Sequence, residues 1–257
     1  MTPRRPPEPV APSGVPADYR RSHLDPGKGE SYQDAFARNP YRSMIWGLEK
    51  RILDRLLDTD FEGRPIRHLD FACGTGRILA YVADRAEVSV GVDVSPSMLA
   101  VAKAGAGRSE LIEADLTASD VLGDRGFNLI TAFRFFPNAQ PSLREEAMRV
   151  LLKHLSPGGW LVFNNHKNSG SFKARLARLR RRGGTEGMSA AEVRALLDGN
   201  GLKIARQRSI GIAPASERHL LLPAALLRPL EAFLSDRPFL RGWGEDVIYC
   251  CRRSVEP

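Results

Sequence analysis

The hydrophobic positions of this chain follow two periods in turn. Seven short segments are predicted as strands: 66–72, 88–92, 109–114, 127–133, 160–164, 202–211 and 246–252. Among them 127–133 is a continuous apolar run, which is typical of a strand covered on both faces. Between these segments apolar residues recur at helical spacing, which predicts helices at 44–58, 78–85, 96–104, 141–155, 173–182 and 190–197. Short strands alternating with helices predict an α/β fold with a doubly wound, mostly parallel sheet of seven strands.

The two ends of the chain depart from this alternation. Residues 1–17 contain six prolines and no aromatic residue, so they cannot bury a core. We interpret 1–29 as a disordered, Pro-rich tail and 30–257 as one domain with a single core. We expect Ser43 to cap the helix at 44–58, Pro40 to end any earlier helix, and a helical N-terminal lid to precede it. A Leu- and Pro-rich stretch before the last strand predicts a helical insertion.

Composition excludes several classes of protein. No apolar run approaches the roughly 18 residues that a membrane-spanning helix needs, and no apolar run follows Arg4 and Arg5 as a secretory signal requires. The three cysteines form no CxxC pair, so neither a disulfide framework nor a metal site is predicted. These features favour a reducing, cytoplasmic location.

The positive charge is concentrated in one segment. The chain has 38 basic and 30 acidic side chains, a formal charge of +8, and residues 167–182 alone hold seven basic side chains and no acid. The remainder is therefore close to neutral. Within 173–182, Phe172, Leu176 and Leu179 form one stripe of an amphipathic helix. Such a helix can contact an anionic membrane surface, an acidic protein domain or nucleic acid, or it can simply pack its stripe on the sheet.

A glycine turn joins the first predicted strand to the following helix. Gly74 and Gly76 lie in HLDFACGTGRIL, where the absence of a Cβ allows the backbone to approach a ligand. A dinucleotide-binding turn would have a third glycine at position 79, which is Leu79 here. The spacing therefore counts against NAD(P) and FAD.

Acidic residues follow three successive elements at the same predicted edge of the sheet. Asp70 precedes the glycine turn, Asp93 ends the second strand, and Asp115 follows the third. Carboxylates placed there can accept hydrogen bonds from ribose hydroxyls and from an exocyclic amine. They would repel a phosphate, so the pattern favours a nucleoside ligand that carries positive charge.

With these motifs in order, the chain resembles the class I S-adenosylmethionine-dependent methyltransferases of the small-molecule type. The resemblance rests on LDFACGTG, VGVDVSPSML, EADL, FNLITAFRFF and LSPGGWLVF, and it covers about residues 66–166. It implies a Rossmann-like fold closed by an antiparallel C-terminal hairpin, with S-adenosylmethionine as the cofactor. Ala72 departs from the family, many members of which have glycine at that position.

The resemblance also implies roles for individual residues. Gly74 and Gly76 would contact the methionine part of the cofactor, Asp93 the ribose and Asp115 the adenine amine. Arg42, in a segment similar to the Asn-Pro-x-Arg of quinone-precursor O-methyltransferases, would reach the cofactor carboxylate. The other expected cofactor contacts are Asp70, Ala72, Cys73, Thr75, Val94, Met98, Leu116 and Phe133.

The expected reaction is methyl transfer to a small-molecule acceptor, a secondary metabolite or a lipid-like compound, at oxygen rather than nitrogen. A hydroxyl acceptor needs a base, for which His166 at the end of the fifth strand is the candidate. Tyr32, Arg134 and Asn138 are the expected acceptor contacts. The segment after the fourth strand lacks the Asn/Asp-Pro-Pro-aromatic turn of enzymes that methylate nucleobase amines.

Other interpretations of these residues remain open. Asp93 can cap the helix that begins near Pro96, Asp115 can be a loop acid, and Arg42 and His166 can be surface residues. A nucleic-acid methyltransferase that uses the basic helix is the less favoured enzyme class. A protein that binds the cofactor without transferring methyl is the second alternative.

Overall fold

A computed structural model describes residues 19–20, 28–180, 187–213, 215 and 223–253. In that part of the chain seven strands form one sheet in the order β3-β2-β1-β4-β5-β7-β6. They are β1 (Arg67–Phe71), β2 (Val88–Asp93), β3 (Glu110–Glu113), β4 (Phe127–Ala132), β5 (Leu155–Asn165), β6 (Leu202–Ile210) and β7 (Asp246–Arg253). Strands β1 to β5 are parallel, and β7 is antiparallel to both of its neighbours. The predicted α/β class, the doubly wound sheet and the antiparallel hairpin are confirmed.

Helices cover both faces of the sheet. They are α1 (Lys28–Arg38), α2 (Pro40–Asp60), α3 (Arg77–Ala83), α4 (Pro96–Ala102), α5 (Pro141–His154), α6 (Phe172–Leu179), α7 (Ala190–Asp198) and α8 (Ala224–Ser235). One core lies between the sheet and α5 with α7, and the second lies between the sheet and α2, α3 and α8. The central strands are buried on both faces, which explains their continuous apolar sequences.

The entry to α2 differs from the prediction. Asn39, rather than Ser43, is the N-cap, and its side-chain oxygen accepts from the backbone N–H groups of Tyr41 and Arg42. Pro40 takes the first helical position, where its missing N–H costs no intrahelical bond. The preceding α1 packs on α4, in agreement with a helical N-terminal element.

The basic segment forms α6, but two of the three residues of its apolar stripe face away from the protein and the third, Leu176, is half-buried. Ala174 is buried, whereas Phe172 and Leu179 on the opposite side are exposed. The interpretation in which this stripe packs on the sheet is therefore wrong. Residues 181–182 of the predicted helix lie outside the described residues.

The predicted tail and insertion are described only in part. Residues 1–18 and 21–27 lie outside the described part of the chain, so the boundary at residue 29 stays a prediction. Tyr19 and Arg20 are described and contact the domain, as set out below. The insertion contains α8 and a short 3-10 turn at Pro238–Leu240. No helix among the described residues is long and apolar enough to span a bilayer.

Candidate cofactor and acceptor site

A cavity opens at the carboxyl ends of β1, β2 and β4, where the strand order reverses. It contains about 1130 Å³ of space free of atoms, including the part open to solvent. Most of the residues predicted for the site line it: Tyr32, Asp70, Ala72, Cys73, Gly74, Thr75, Asp93, Val94, Met98, Asp115, Leu116, Phe133, Arg134, Asn138 and His166. Gly76 and Arg42, both described, do not line it. Ligands of doubly wound sheets bind at this topological position.

Glycine is required at positions 74 and 76 of the turn for different structural reasons. Both have positive φ angles, +55° for Gly74 and +75° for Gly76. A Cβ at Gly74 would meet no atom within 4 Å, whereas one at Gly76 would lie 2.9 Å from the Cβ of Ala102. Gly74 therefore leaves room beside the cavity, while Gly76 allows α4 to pack closely. Ala72 also has a positive φ of 53°, which explains why glycine suits that position.

Asp93 fixes the turn from the neighbouring strand. Its Oδ2 accepts from the backbone N–H of Gly74 at 2.7 Å, and its Oδ1 accepts from Ser95 N–H at 2.9 Å. The N-cap of α4 is Ser95, whose hydroxyl accepts from Met98 N–H. Asp93 thus supports the entry to α4 through Ser95, and it lies against the cavity at the same time.

Asp115 is engaged by the N-terminal segment, which the sequence did not reveal. Its Oδ2 lies 2.6 Å from Nε of Arg20, and its Oδ1 accepts from the backbone N–H of Thr117 at 2.9 Å. Arg20 also contacts Glu146, at 2.8 Å. Tyr19 beside it packs edge-on against Phe135, and both Tyr19 and Arg20 line the cavity. The only sequence signal was an aromatic-basic pair directly after the Pro-rich stretch.

Asp70 is buried in a chain of hydrogen bonds below the cavity. Its Oδ2 accepts from Leu79 N–H at 3.0 Å in the first turn of α3, and its Oδ1 accepts from the Thr131 hydroxyl at 2.7 Å. Thr131 in turn lies 2.8 Å from Nε2 of His68, whose Nδ1 faces the Ser89 hydroxyl. Burial raises the pKa of Asp70 to about 7 and lowers the pKa of His68 to about 3.

A different arginine from the one expected reaches the cavity wall. Arg77 follows the glycine turn directly, lines the cavity, and places Nη1 3.1 Å from Oε2 of the fully buried Glu49. Its guanidinium lies over the rings of Phe36 and Trp46. Arg42 is half-buried in the first turn of α2, and the cofactor role predicted for it gains no support from this placement. Adjacency to the turn was the signal that could have identified Arg77.

The end of the cavity formed by β4 and β5 carries His166 and Arg134. Nδ1 of His166 is buried and has no hydrogen-bond partner among the described residues. Burial, together with the charges of Arg134, Lys167 and Arg77, holds the pKa of His166 well below its usual value. The imidazole is therefore neutral at pH 7, the form in which a histidine accepts a proton.

Asn164 holds Arg134 in position. Arg134 has a positive φ of 61°, and its backbone N–H donates to Oδ1 of Asn164 at 2.6 Å. The amide nitrogen of Asn164 donates to Oδ2 of Asp246 at 2.8 Å. The carbonyl oxygen of Arg134 accepts from Asn138 at 2.5 Å. These contacts tie the ends of β4 and β5 to the start of β7.

Comparison with known proteins agrees with this geometry. Residues 69–159 match the family model described as a methyltransferase domain. No curated protein sequence matches the chain at a significant level.

Solved structures share the whole fold. Magnesium protoporphyrin IX methyltransferase (ChlM) from Synechocystis PCC 6803 with bound SAH matches with a TM-score of 0.62 and 15% identity over 92% of this chain and 100% of that one. N-methyltransferase NodS from Bradyrhizobium japonicum WM9 matches with a TM-score of 0.53 and 18% identity over 90% and 100%. The StiE O-MT segment matches with a TM-score of 0.57 and 19% identity over 86% and 80%.

The domain match and the sheet order define the class of protein. The chain carries a methyltransferase domain at residues 69–159 and has the fold of the class I methyltransferases. The ChlM and NodS structures contain S-adenosylmethionine or its product S-adenosylhomocysteine. The site fits S-adenosylmethionine, because Gly74 leaves open space in the cavity wall and Asp93 and Asp115 present carboxylates there. The third glycine of a dinucleotide-binding turn is replaced by Leu79.

Proposed function

We propose that this enzyme methylates a small-molecule acceptor at a weakly acidic hydroxyl, such as that of a phenol. A small-molecule acceptor is supported by the similar ChlM, NodS and StiE structures, among which are both an O- and an N-methyltransferase. The observation that carries the proposal is the buried Nδ1 of His166 at the β5 end of the cavity, for which the described part of the chain offers no hydrogen-bond partner.

The cofactor would be held by the residues around the glycine turn. Asp93 would accept from the ribose hydroxyls, Asp115 from the adenine amine, and the backbone at Gly74 would face the methionine part. Val94 and Met98 would flank the adenine, and Phe133 would lie near the sulfur. When bound, S-adenosylmethionine supplies a methyl group that is already activated for displacement.

His166 would take the proton of the acceptor. The His166 imidazole is uncharged near pH 7, so Nδ1 can accept the proton of the acceptor hydroxyl while the hydroxyl oxygen takes the methyl group. The cations Arg134 and Arg77, which also line the cavity, disfavour a charged imidazole and favour an oxyanion. A phenol is protonated at neutral pH but more acidic than an aliphatic alcohol, so it demands least of such a base, whereas a carboxylic acid is already ionised and needs none.

The test is turnover of labelled S-adenosylmethionine with matched phenol, carboxylic acid, alcohol and amine acceptors. We expect transfer to the phenol, and a fall in kcat of about 100-fold or more for His166→Asn with an unchanged Kd for S-adenosylhomocysteine. His154→Asn is the matched control, because His154 is buried against Arg125 and Asp120 outside the cavity wall. Preferred transfer to the amine, or full activity of His166→Asn, would refute the proposal.

A further inference from the structure

Exposed apolar side chains are concentrated in one region of the molecule. Among the described residues, eight large hydrophobic side chains are exposed. Seven of them lie on α6, on α8, or on the segment between α8 and β7: Phe172, Leu179, Leu226, Leu230, Phe233, Phe239 and Trp243. We call these seven the apolar patch. The eighth, Val121, lies in the loop after β3.

Both helices turn an apolar stripe outward. In α6, Leu179 is 82% exposed while Ala174 on the opposite side is fully buried. In α8, Leu226, Leu230 and Phe233 follow helical spacing and are exposed, while Leu227 and Glu231 face the core. An amphipathic helix that packs on a sheet has the reverse arrangement. Two outward stripes therefore indicate a surface that contacts something outside this domain.

Contacts link α6 to Trp243 and α8 to Arg237, both of which belong to the segment between α8 and β7. The backbone N–H of Phe172 donates to the carbonyl of Trp243, and the Arg175 guanidinium lies 4.7 Å from the Trp243 ring. Arg237 lies 3.8 Å from the ring of Phe233. The 3-10 turn that carries Phe239 connects these two contacts along the chain.

The charge around the patch is positive. Arg175, Arg178 and Arg180 lie on or directly after α6, and Arg237 and Arg241 flank the 3-10 turn. In α8 and the following segment the acid Glu231 is buried and accepts from backbone N–H groups, and Asp236 is paired with Arg55. Apolar side chains bordered by arginines match the chemistry of an anionic lipid surface, where rings enter the headgroup region and guanidinium groups meet phosphates.

We propose that the apolar patch with its arginines binds the surface of an anionic membrane. Helix α6 begins six residues after His166 along the chain, and none of the seven patch residues lines the cavity. Its function would be to hold the enzyme at a bilayer. The proposal does not depend on which acceptor is methylated, and its test needs no turnover.

The experiment is flotation of the full chain with vesicles of phosphatidylcholine alone or mixed with phosphatidylglycerol. We expect binding to the mixed vesicles that weakens with salt, and a blue shift of Trp243 fluorescence that Trp243→Phe removes. Leu179→Ser and Phe239→Ser should each weaken vesicle binding about tenfold or more, because each removes a large apolar side chain from the bilayer interface. Val121→Ser is the matched control and should bind as the parent does.

The contribution of charge is tested separately. Arg180→Ala and Arg241→Ala should each lower the affinity roughly fivefold, whereas Arg149→Ala on the exposed face of α5, on the other side of the sheet, should leave it unchanged. Absence of binding to the mixed vesicles would overturn the proposal. Equal binding to both vesicle types, self-association that Leu179→Ser abolishes, or binding to RNA without binding to vesicles would also overturn it.

Discussion

The backbone N–H of Gly74 donates to Oδ2 of Asp93 over 2.7 Å, so the acid at the end of β2 holds the turn that follows β1. The other oxygen of Asp93 accepts from Ser95 N–H, at the start of α4. One carboxylate therefore connects the glycine turn to the next helix and also lines the cavity. Changes at Asp93 should affect the fold and the cofactor together.

Two replacements of Asp93 should differ in how much they lower cofactor affinity and how much they lower stability. For Asp93→Ala we expect the affinity for S-adenosylhomocysteine to fall by about 2 kcal/mol, with a lower Tm, because two backbone N–H groups lose a charged acceptor. Asp93→Asn keeps one oxygen for Gly74 and should lose less stability. Calorimetric titration and thermal unfolding measure the two quantities. An undiminished affinity in Asp93→Ala would contradict its assignment to the cofactor.

The glycine turn and the strand-end acids were predictable because they depend on local rules. Apolar runs locate the strands, parallel strands bring their carboxyl ends to one edge, and glycine is required where φ is positive. Asp70 was predictable only in part. Its position before the turn can be read from the sequence, whereas its hydrogen bond from Leu79 N–H in α3 forms only in the folded chain. The sequence located this acid, but not its hydrogen-bond chain to Thr131 and His68.

Alanine at Gly74 should mainly weaken cofactor binding, whereas alanine at Gly76 should mainly lower stability. Gly74→Ala adds a methyl group to open space beside the cavity, so we expect a modest loss of stability, about 1 kcal/mol from its positive φ, and a larger loss of S-adenosylhomocysteine affinity. Gly76→Ala places its Cβ against Ala102, so the Tm should fall further. Denaturant unfolding and calorimetry on both variants distinguish them. Equal effects of the two variants on affinity would exclude a ligand role specific to Gly74.

Arg20 occupies an oxygen of Asp115 that the adenine amine is expected to use. This pair is partly exposed, and such pairs contribute up to about 1 kcal/mol. Arg20→Ala should therefore raise the affinity for S-adenosylhomocysteine by up to about fivefold. Arg149→Ala, at an exposed position of α5, should not change it. The measurement is a calorimetric Kd at low salt. A lowered affinity would mean that Arg20 contacts the bound cofactor rather than competing with it.

Contacts between distant segments were not predictable from local patterns. Arg20 reaches Asp115 from the segment interpreted as tail, and nothing in its sequence marks the partner. The apolar positions of α6 correctly predicted a helix, but periodicity cannot tell which partner its stripe will face. The Asn-Pro-x-Arg similarity favoured Arg42, whereas packing of α2 on α3 brings Arg77 to the cavity and pairs it with Glu49.

His68 should make stability depend on pH. The pKa of His68 is about 3 in the folded protein, against about 6.5 for an unfolded histidine. Below pH 6.5 the unfolded chain therefore binds a proton at this residue, whereas the folded protein does not. The free energy of unfolding, relative to His68→Asn, should therefore fall by about 2 kcal/mol between pH 7 and pH 5. The comparison with the variant matters, because Asp70, with its pKa raised to about 7, keeps its proton in the fold and changes stability in the opposite direction. Ser89→Ala removes a hydroxyl beside His68 but no titrating group, so denaturant unfolding should show an offset from the parent that is constant with pH; a constant offset for His68→Asn as well would refute the shifted pKa.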